Sequence, residues 1–266
     1  MSDLHVGSRG GHDDLAAGAA LGALVAHLEP ELVVATGDLT HSGQPRQHAA
    51  AAGFLRGLGT PLLVVPGNHD IPWAVPSRFT SPWRGFEAEW RTTEPVSSSP
   101  SLHVVGLNSV RPWRHQSGGI RASQLARAAE RLAAAPEGAL RVVALHHQLL
   151  GAPWRTRKRP VAHRSHVLAE LVDSGAELIL GGHIHQATVS ERREFEVLGP
   201  GARGVVVSIA PGFGRPRPNR RGEARGITVY RADERQLQVD SHMWVGEGWE
   251  LTAVRVFPRS GQPATN

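Results

Sequence analysis

Short apolar runs, each ending in glycine, asparagine, aspartate or histidine, constrain this chain more than any other feature. They lie at 31–36 (ELVVAT), 61–65 (PLLVV), 102–107, 140–145 and 177–180. Their length and Val/Leu content suit buried strands. Stretches of helical character intervene at 13–28, stopped before Pro30, and at 44–58, closed by Gly59. Two more follow at 123–135, with Ser123 as N-cap, and at 165–173. After that the pattern changes to successive strands at 204–210, 225–231, 236–242 and 249–256. Alternation early and strands later predict two sheets packed face to face with helices outside. The connections 71–101 and 149–164 are too long for turns and read as lids or rims. No internal repeat or linker interrupts the chain, so residues 1–266 read as a single domain.

Composition closes several routes. The chain has 266 residues and no cysteine, which excludes disulfides, thiolate-bound zinc and a thiol nucleophile. The longest charge-free stretch, 15–28, is too short to span a membrane. No charged-then-apolar leader is visible, and the expected setting is cytoplasmic. Basic residues number 29 against 24 acidic, a net charge of +5, and only Lys158 is a lysine. The pI of 10.9 reflects arginine rather than a large excess of charge. A nucleic-acid partner is therefore not favoured. The unusual number is 15 histidines.

Five segments gather the chemistry: SDLH at 2–5, GDLT at 37–40, GNHD at 67–70, LHHQ at 145–148 and GGHIH at 181–185. Four of them follow an apolar run directly, at the strand end where α/β folds place ligands. Singly, each has a plain reading as turn or surface chemistry. His-x-His after a strand would put both rings on one face. Together, carboxylate, imidazole and amide groups recur at strand ends beside small residues. Mixed N/O ligation without sulfur suits Mn, Fe, Zn or Co in a two-metal site.

This order of motifs over residues 1–186 resembles the calcineurin-like metallophosphoesterases, in the style of bacterial cyclic-nucleotide and glycerophosphodiester phosphodiesterases. The resemblance implies an α/β, four-layer αββα sandwich of two mixed β-sheets flanked by helices. It implies two divalent metal ions, with Asp3, His5 and His185 holding the first. Asn68, His146 and His183 would hold the second, and Asp38 would bridge them. His146 is preferred over His147 because the family pattern is His-x-Pro with the first histidine coordinating, although Gln148 stands where the proline would be. His69 would face the substrate, and Asp70 would accept a hydrogen bond from the far side of its ring. Ions about 3.5–4 Å apart would acidify a bridging water for in-line attack on a small phosphodiester, 3′,5′-cyclic nucleotides among the candidates. A DNA nuclease, a phosphomonoesterase and a non-catalytic scaffold are the alternatives on the same fold. The family normally has an apolar strand before Asp-x-His, where this sequence has only Met1 and Ser2. Either the true start lies upstream, the preferred reading, or Asp3 sits on a fraying terminus.

Other residues read less sharply. His41 reads as a loop histidine, with a contact to substrate phosphate as the alternative. His12, His115, His163 and His166 read as surface or rim. The basic run 154–159 could be a solvated loop or a rim for anionic substrates, with Trp154 able to stack on a base. Trp73 and Trp113 carry the same stacking idea at lower weight. Residues 215–221 form a second basic segment, compatible with a mobile turn. The predicted partner is a small phosphate ester; oligomeric state is not readable.

Overall fold

Strand pairing divides the chain into a large sheet and two smaller ones. The computed structural model describes residues 1–8, 15–114, 116–154, 156–199, 201–214 and 222–259. His12, His115, Arg155 and the 215–221 segment lie outside the described residues. The first half holds α1 (Leu15–Leu28), β1 (Val33–Ala35), α2 (Pro45–Arg56), β2 (Leu62–Val64), α3 (Ser77–Thr80), α4 (Arg84–Trp90) and β3 (Val96–Ser98). Then come β4 (Leu102–Gly106), α5 (Ala122–Ala133), β5 (Leu140–Ala144), α6 (Arg164–Asp173), β6 (Leu178–Gly181) and β7 (Thr188–Glu191). The last strands are β8 (Val206–Ile209), β9 (Gly226–Ala232), β10 (Gln236–Val245) and β11 (Gly248–Pro258).

The large sheet runs β3-β4-β5-β6-β8-β7. Its four inner strands are parallel, and β3 and β7 close the edges antiparallel. The smaller sheets are a parallel pair, β1-β2, and an antiparallel meander, β9-β10-β11. The first residues stitch these two together. Thr36 N donates to Met1 O, Asp3 N to Gly37 O, and Phe213 N to Ser2 O. Asp3 is fully buried and bonded on both sides, so it does not lie on a fraying end. Alongside, β1, β9 and the large sheet enclose an apolar cavity of ≈ 250 Å³, lined by Val34, Leu140, Leu178 and Val229 among others.

Three apolar clusters define the layers. One lies between the sheets, with Leu63, Val142, Leu178, Val206, Val239 and Phe257. A second packs α5 and α6 onto the large sheet through Leu125, Leu132, Leu168 and Leu171. A third packs α1, α2 and α4 onto β1 and β2 through Leu21, Leu55, Phe86 and Val64. The result is the αββα sandwich that the resemblance implied. Strands β6 and β8 are buried throughout, which is why they read as unbroken apolar runs.

Three local expectations need correction. Helix α5 is capped by Arg121, extended at φ −84°, ψ 153°, and not by Ser123. The Gln124 side-chain oxygen accepts the Arg121 N–H, the donor that a cap must satisfy. The 71–101 connection is not a plain lid, since it carries α3, α4 and β3. Strand β7 escaped notice because its TVSE sequence is only partly buried and lacks apolar alternation. No helix among the described residues is long and apolar enough to cross a membrane.

Candidate metal centre

The motif segments converge through strained turns. Asp3, His5, Asp38, His183 and His185 all have positive φ, between 51° and 72°. Such backbone is costly for non-glycine residues and clusters where function fixes geometry. Two glycines permit a still closer approach. A Cβ on Gly37, at φ +86°, would fall 2.5 Å from Gly67 N, and one on Gly67 would fall 2.2 Å from Asp38 N. The turns after β1 and β2 therefore touch backbone to backbone, which brings Asp38 beside Asn68.

The side chains form two half-sites. In the first, His185 Nε2 lies 2.9 Å from Asp3 Oδ1, and His5 Nε2 lies 3.7 Å from the same oxygen. The two imidazole nitrogens are 3.1 Å apart. In the second, His146 Nε2 is 3.2 Å from both Asn68 Oδ1 and His183 Nδ1. Asp38 lies between, with Oδ1 3.4 Å from His146 Nε2 and Oδ2 3.7 Å from His5 Nε2. Ligands at ~2.0–2.2 Å from one ion sit about 3.0–3.5 Å from each other. The separations observed, 2.9 to 3.7 Å, bracket that spacing.

Hydrogen bonds at the rear fix which atoms face inward. His146 Nδ1 donates to Thr36 O (2.7 Å) and His183 Nε2 to Gln116 O (3.0 Å). Asp3 Oδ2 accepts from Ser2 Oγ (2.6 Å) and from His183 N (3.0 Å). Asp38 Oδ2 is buried with no hydrogen-bond donor among the described residues, and Asp3 Oδ1 has His185 Nε2 at 2.9 Å as its neighbour. With Nδ1 spent on Thr36, a neutral His146 would set a bare Nε2 against the Asn68 oxygen, acceptor against acceptor. A proton or a metal ion at Nε2 relieves that conflict. The donor set therefore fits one divalent ion in each half-site.

The electrostatics agree. Burial penalises the Asp3 and Asp38 carboxylates, yet neighbouring histidines hold both well below the usual carboxylate range. Burial holds His5, His183 and His185 below their ordinary value, hence neutral as ligands must be. Burial also works against charge on His146, but the Asp38 carboxylate outweighs it and pushes the ring up to about 9.

All nine residues singled out in the sequence lie in or against this site, with corrections. Asp70 does not meet the His69 ring. Its oxygens accept from Thr40 N (2.8 Å), Thr40 Oγ1 (3.1 Å) and Gly67 N (2.8 Å), because it is buried beneath the turn. His69 Nδ1 instead donates to His41 O at 2.7 Å. His183 and His185 do not share a strand face. Strand β6 ends at Gly181, and left-handed backbone sends the two rings to different half-sites. His146 joins Asp38 and His183, whereas His147 pairs with Ser109 Oγ at 2.9 Å. His41 is more than a loop residue, since it clusters with His5 and His69. His163 and His166 are exposed, as expected.

Sequence reasoning missed Lys158 and Glu223. The Lys158 ammonium donates to the His183 carbonyl, and a Glu223 oxygen lies 3.9 Å from His185 Nδ1. Lys158 was hidden inside an arginine-rich run, although being the sole lysine was a signal of sorts.

A family profile described as calcineurin-like phosphoesterase matches residues 1–187, the stretch that contains both half-sites. A cAMP/cGMP dual specificity phosphodiesterase from Mycobacterium tuberculosis is 32% identical over 178 residues, 60% of this chain and 50% of that protein. A probable cyclic nucleotide phosphodiesterase from Synechococcus sp. is 28% identical over 179 residues, 61% of each. The chain thus spans about half to three fifths of the length of these curated relatives. A dimetal phosphatase from Danio rerio shares the fold, with a TM-score of 0.64 at 13% identity over 98% of both chains. Fold, motif order and profile agree, and the chain belongs to the calcineurin-like phosphoesterase family.

Proposed function

We propose that this chain binds two divalent metal ions and hydrolyses small phosphodiesters, with 3′,5′-cyclic nucleotides the first substrate class to test. The observation that carries the reading is Asp38, which turns one carboxylate oxygen toward each cluster of imidazoles. Asp3, His5 and His185 would hold one ion, Asn68, His146 and His183 would hold the other, and Asp38 would serve both. When bound, such ions supply Lewis acidity for the phosphoryl oxygens and acidify a water for in-line attack. The chain's own part is positional. Rear carbonyls at Thr36 and Gln116 lock two ligand rings, and the His41 carbonyl locks His69 so that Nε2 is its remaining polar atom. His69 then faces the phosphoryl group or the leaving oxygen. The names of the Mycobacterium and Synechococcus relatives support a diester, and a net charge of +5 creates no demand for a dianionic substrate. Strands β9–β11 pack on the same middle layer, and we read residues 1–266 as one catalytic domain, cytoplasmic as befits a nucleotide substrate.

The test is direct. Metal content of the purified protein is measured, and rates are compared on 3′,5′-cyclic AMP, an aryl diester, the matched aryl monoester and single-stranded DNA. Two ions per chain and diester turnover that vanishes with chelator are expected. Full activity in chelator-stripped protein overturns the metal assignment. Monoester or DNA cleavage well above the small-diester rates replaces the proposed substrate class.

A further inference from the structure

Trp73 stands at the rim of the candidate centre, three residues beyond Asp70, with 53% of its surface exposed. Its ring centroid is 5.0 Å from that of His41 and 5.5 Å from that of His69. His69 in turn meets His5 edge-on at 4.8 Å. A line of rings therefore runs outward from the first half-site through His69 to an indole open to solvent.

The loop that carries the indole is anchored. Arg78, 3% exposed, donates from Nη1 to Pro72 O (3.3 Å) and from Nε to Pro112 O (2.7 Å). Its backbone N–H donates to Ala74 O at 3.0 Å. Both neighbours of Trp73 are thereby tied to one buried residue, Pro72 through the Arg78 side chain and Ala74 through its backbone N–H. Behind them, a Cβ on Gly43 would fall 2.3 Å from the Ile71 carbonyl carbon, so the loop is seated directly on the 40–43 turn. Trp154, the sequence's first candidate for stacking, is as exposed but lies across Gly222, where a Cβ would fall 2.3 Å from its ring, and no ring contact joins it to the histidine cluster among the described residues.

Resting on the phosphodiesterase reading above, we infer that Trp73, backed by His41, is a stacking subsite for a planar group of the substrate, a nucleobase. The phosphoryl group lies beside His69, the sugar covers the step to the rim, and the base lies on the indole. Rigid aromatic platforms bind bases with little ordering cost and little sequence preference. The subsite thus selects nucleoside diesters over alkyl diesters without selecting one base.

The experiment compares wild type, Trp73→Ala and Trp73→Phe on 3′,5′-cyclic AMP and on a glycerophosphodiester, with metal content and thermal melting as controls. Trp73→Ala should raise KM for cyclic AMP about 5- to 100-fold, the span that base stacking on an aromatic carries, with kcat much less affected. The ratio of kcat/KM for cyclic AMP over the alkyl diester should fall by a similar factor, and Trp73→Phe should restore most of it. Cleavage of both substrates with an unchanged ratio in Trp73→Ala overturns the subsite and leaves the phosphodiesterase reading intact. Cleavage of neither by wild type overturns that reading and this inference with it. Should Trp73→Ala melt far below wild type, Trp73→Leu, which fills the space without a π face, carries the test: a fallen ratio supports the subsite and an unchanged ratio overturns it.

Discussion

His69 donates its Nδ1 proton to the backbone carbonyl of His41 at 2.7 Å, while its own backbone N–H donates to Asp38 Oδ1 at 2.8 Å. One residue is thus tied to the carboxylate between the half-sites and has its ring fixed by a neighbouring turn. A neutral ring held this way can only accept at Nε2; to give a proton to a leaving oxygen it must be the imidazolium. His69→Ala should keep near-normal metal content and lose about 10²–10⁴-fold in rate on nucleoside or alkyl diesters. The loss should be much smaller on an activated aryl diester, whose leaving group needs no proton. Equal losses on both would assign the ring to the non-bridging oxygens instead, and loss of metal would place it among the ligands.

Asp70 belongs to a different mechanical unit. Its three bonds to Thr40 and Gly67 staple the turn that carries Asn68 to the turn after β1. Asp70→Asn sets a side-chain N–H₂ against one of those N–H donors, a loss of about 1–3 kcal/mol for a buried group. Melting temperature and retention of the second metal should drop, while the ratio of alkyl-diester to aryl-diester rates stays as in wild type. A changed ratio would restore Asp70 to the orienting role that the resemblance implied.

That correction shows where sequence reading stops. Asp3, Asp38, Asn68, His146 and His185 were legible as candidates because few side chains can hold a metal ion, and all but Asp3 stood just beyond an apolar run. The partners that aim them were not. Thr36, Gln116 and His41 act through backbone carbonyls, which every residue owns, so no letter in the sequence marks them. The sandwich was legible for a similar reason: β5, β6 and β8 are short, mostly apolar runs buried by both layers. Strand β7 and the short helices in 71–101 depend on tertiary contacts that periodicity does not carry.

Tyr230 reports on the seam between the sheets. Its hydroxyl, on β9, donates to Ser208 Oγ on β8 at 2.7 Å. Burial pushes the phenol up to about 12, against the pull of the Ser208 and Thr228 hydrogen bonds. The folded state therefore keeps this proton more tightly than the unfolded chain, whose tyrosine titrates near ~10. The stability it contributes is fully present below pH ~10 and is lost as pH rises through about 12. Because the chain has a single tyrosine, tyrosinate absorbance reads it directly. A native midpoint equal to that in denaturant would mean the seam is open to water.

The last prediction concerns protons displaced by metal. In the metal-free protein burial disfavours charge on His146, but Asp38 at 3.4 Å and the Thr36 carbonyl outweigh it and raise the ring to about 9. A histidine must lose that proton to become a ligand. Metal added to chelator-stripped protein near neutral pH should therefore release close to one proton from the second half-site. Calorimetric titration in buffers of different ionisation heat measures it. Release should fade above pH 9, and apparent affinity should climb with pH up to that point and then level. A ring whose folded value lies above the ordinary 6.5 contributes stability that is complete below 6.5 and is lost as pH rises through about 9. Metal-free protein should weaken across that interval while metal binding tightens, so the rise in melting temperature on adding metal should widen with pH. His146→Ala removes both the released proton and the widening. Metal uptake with no proton release between pH 6.5 and 9 would place His146 outside the coordination sphere.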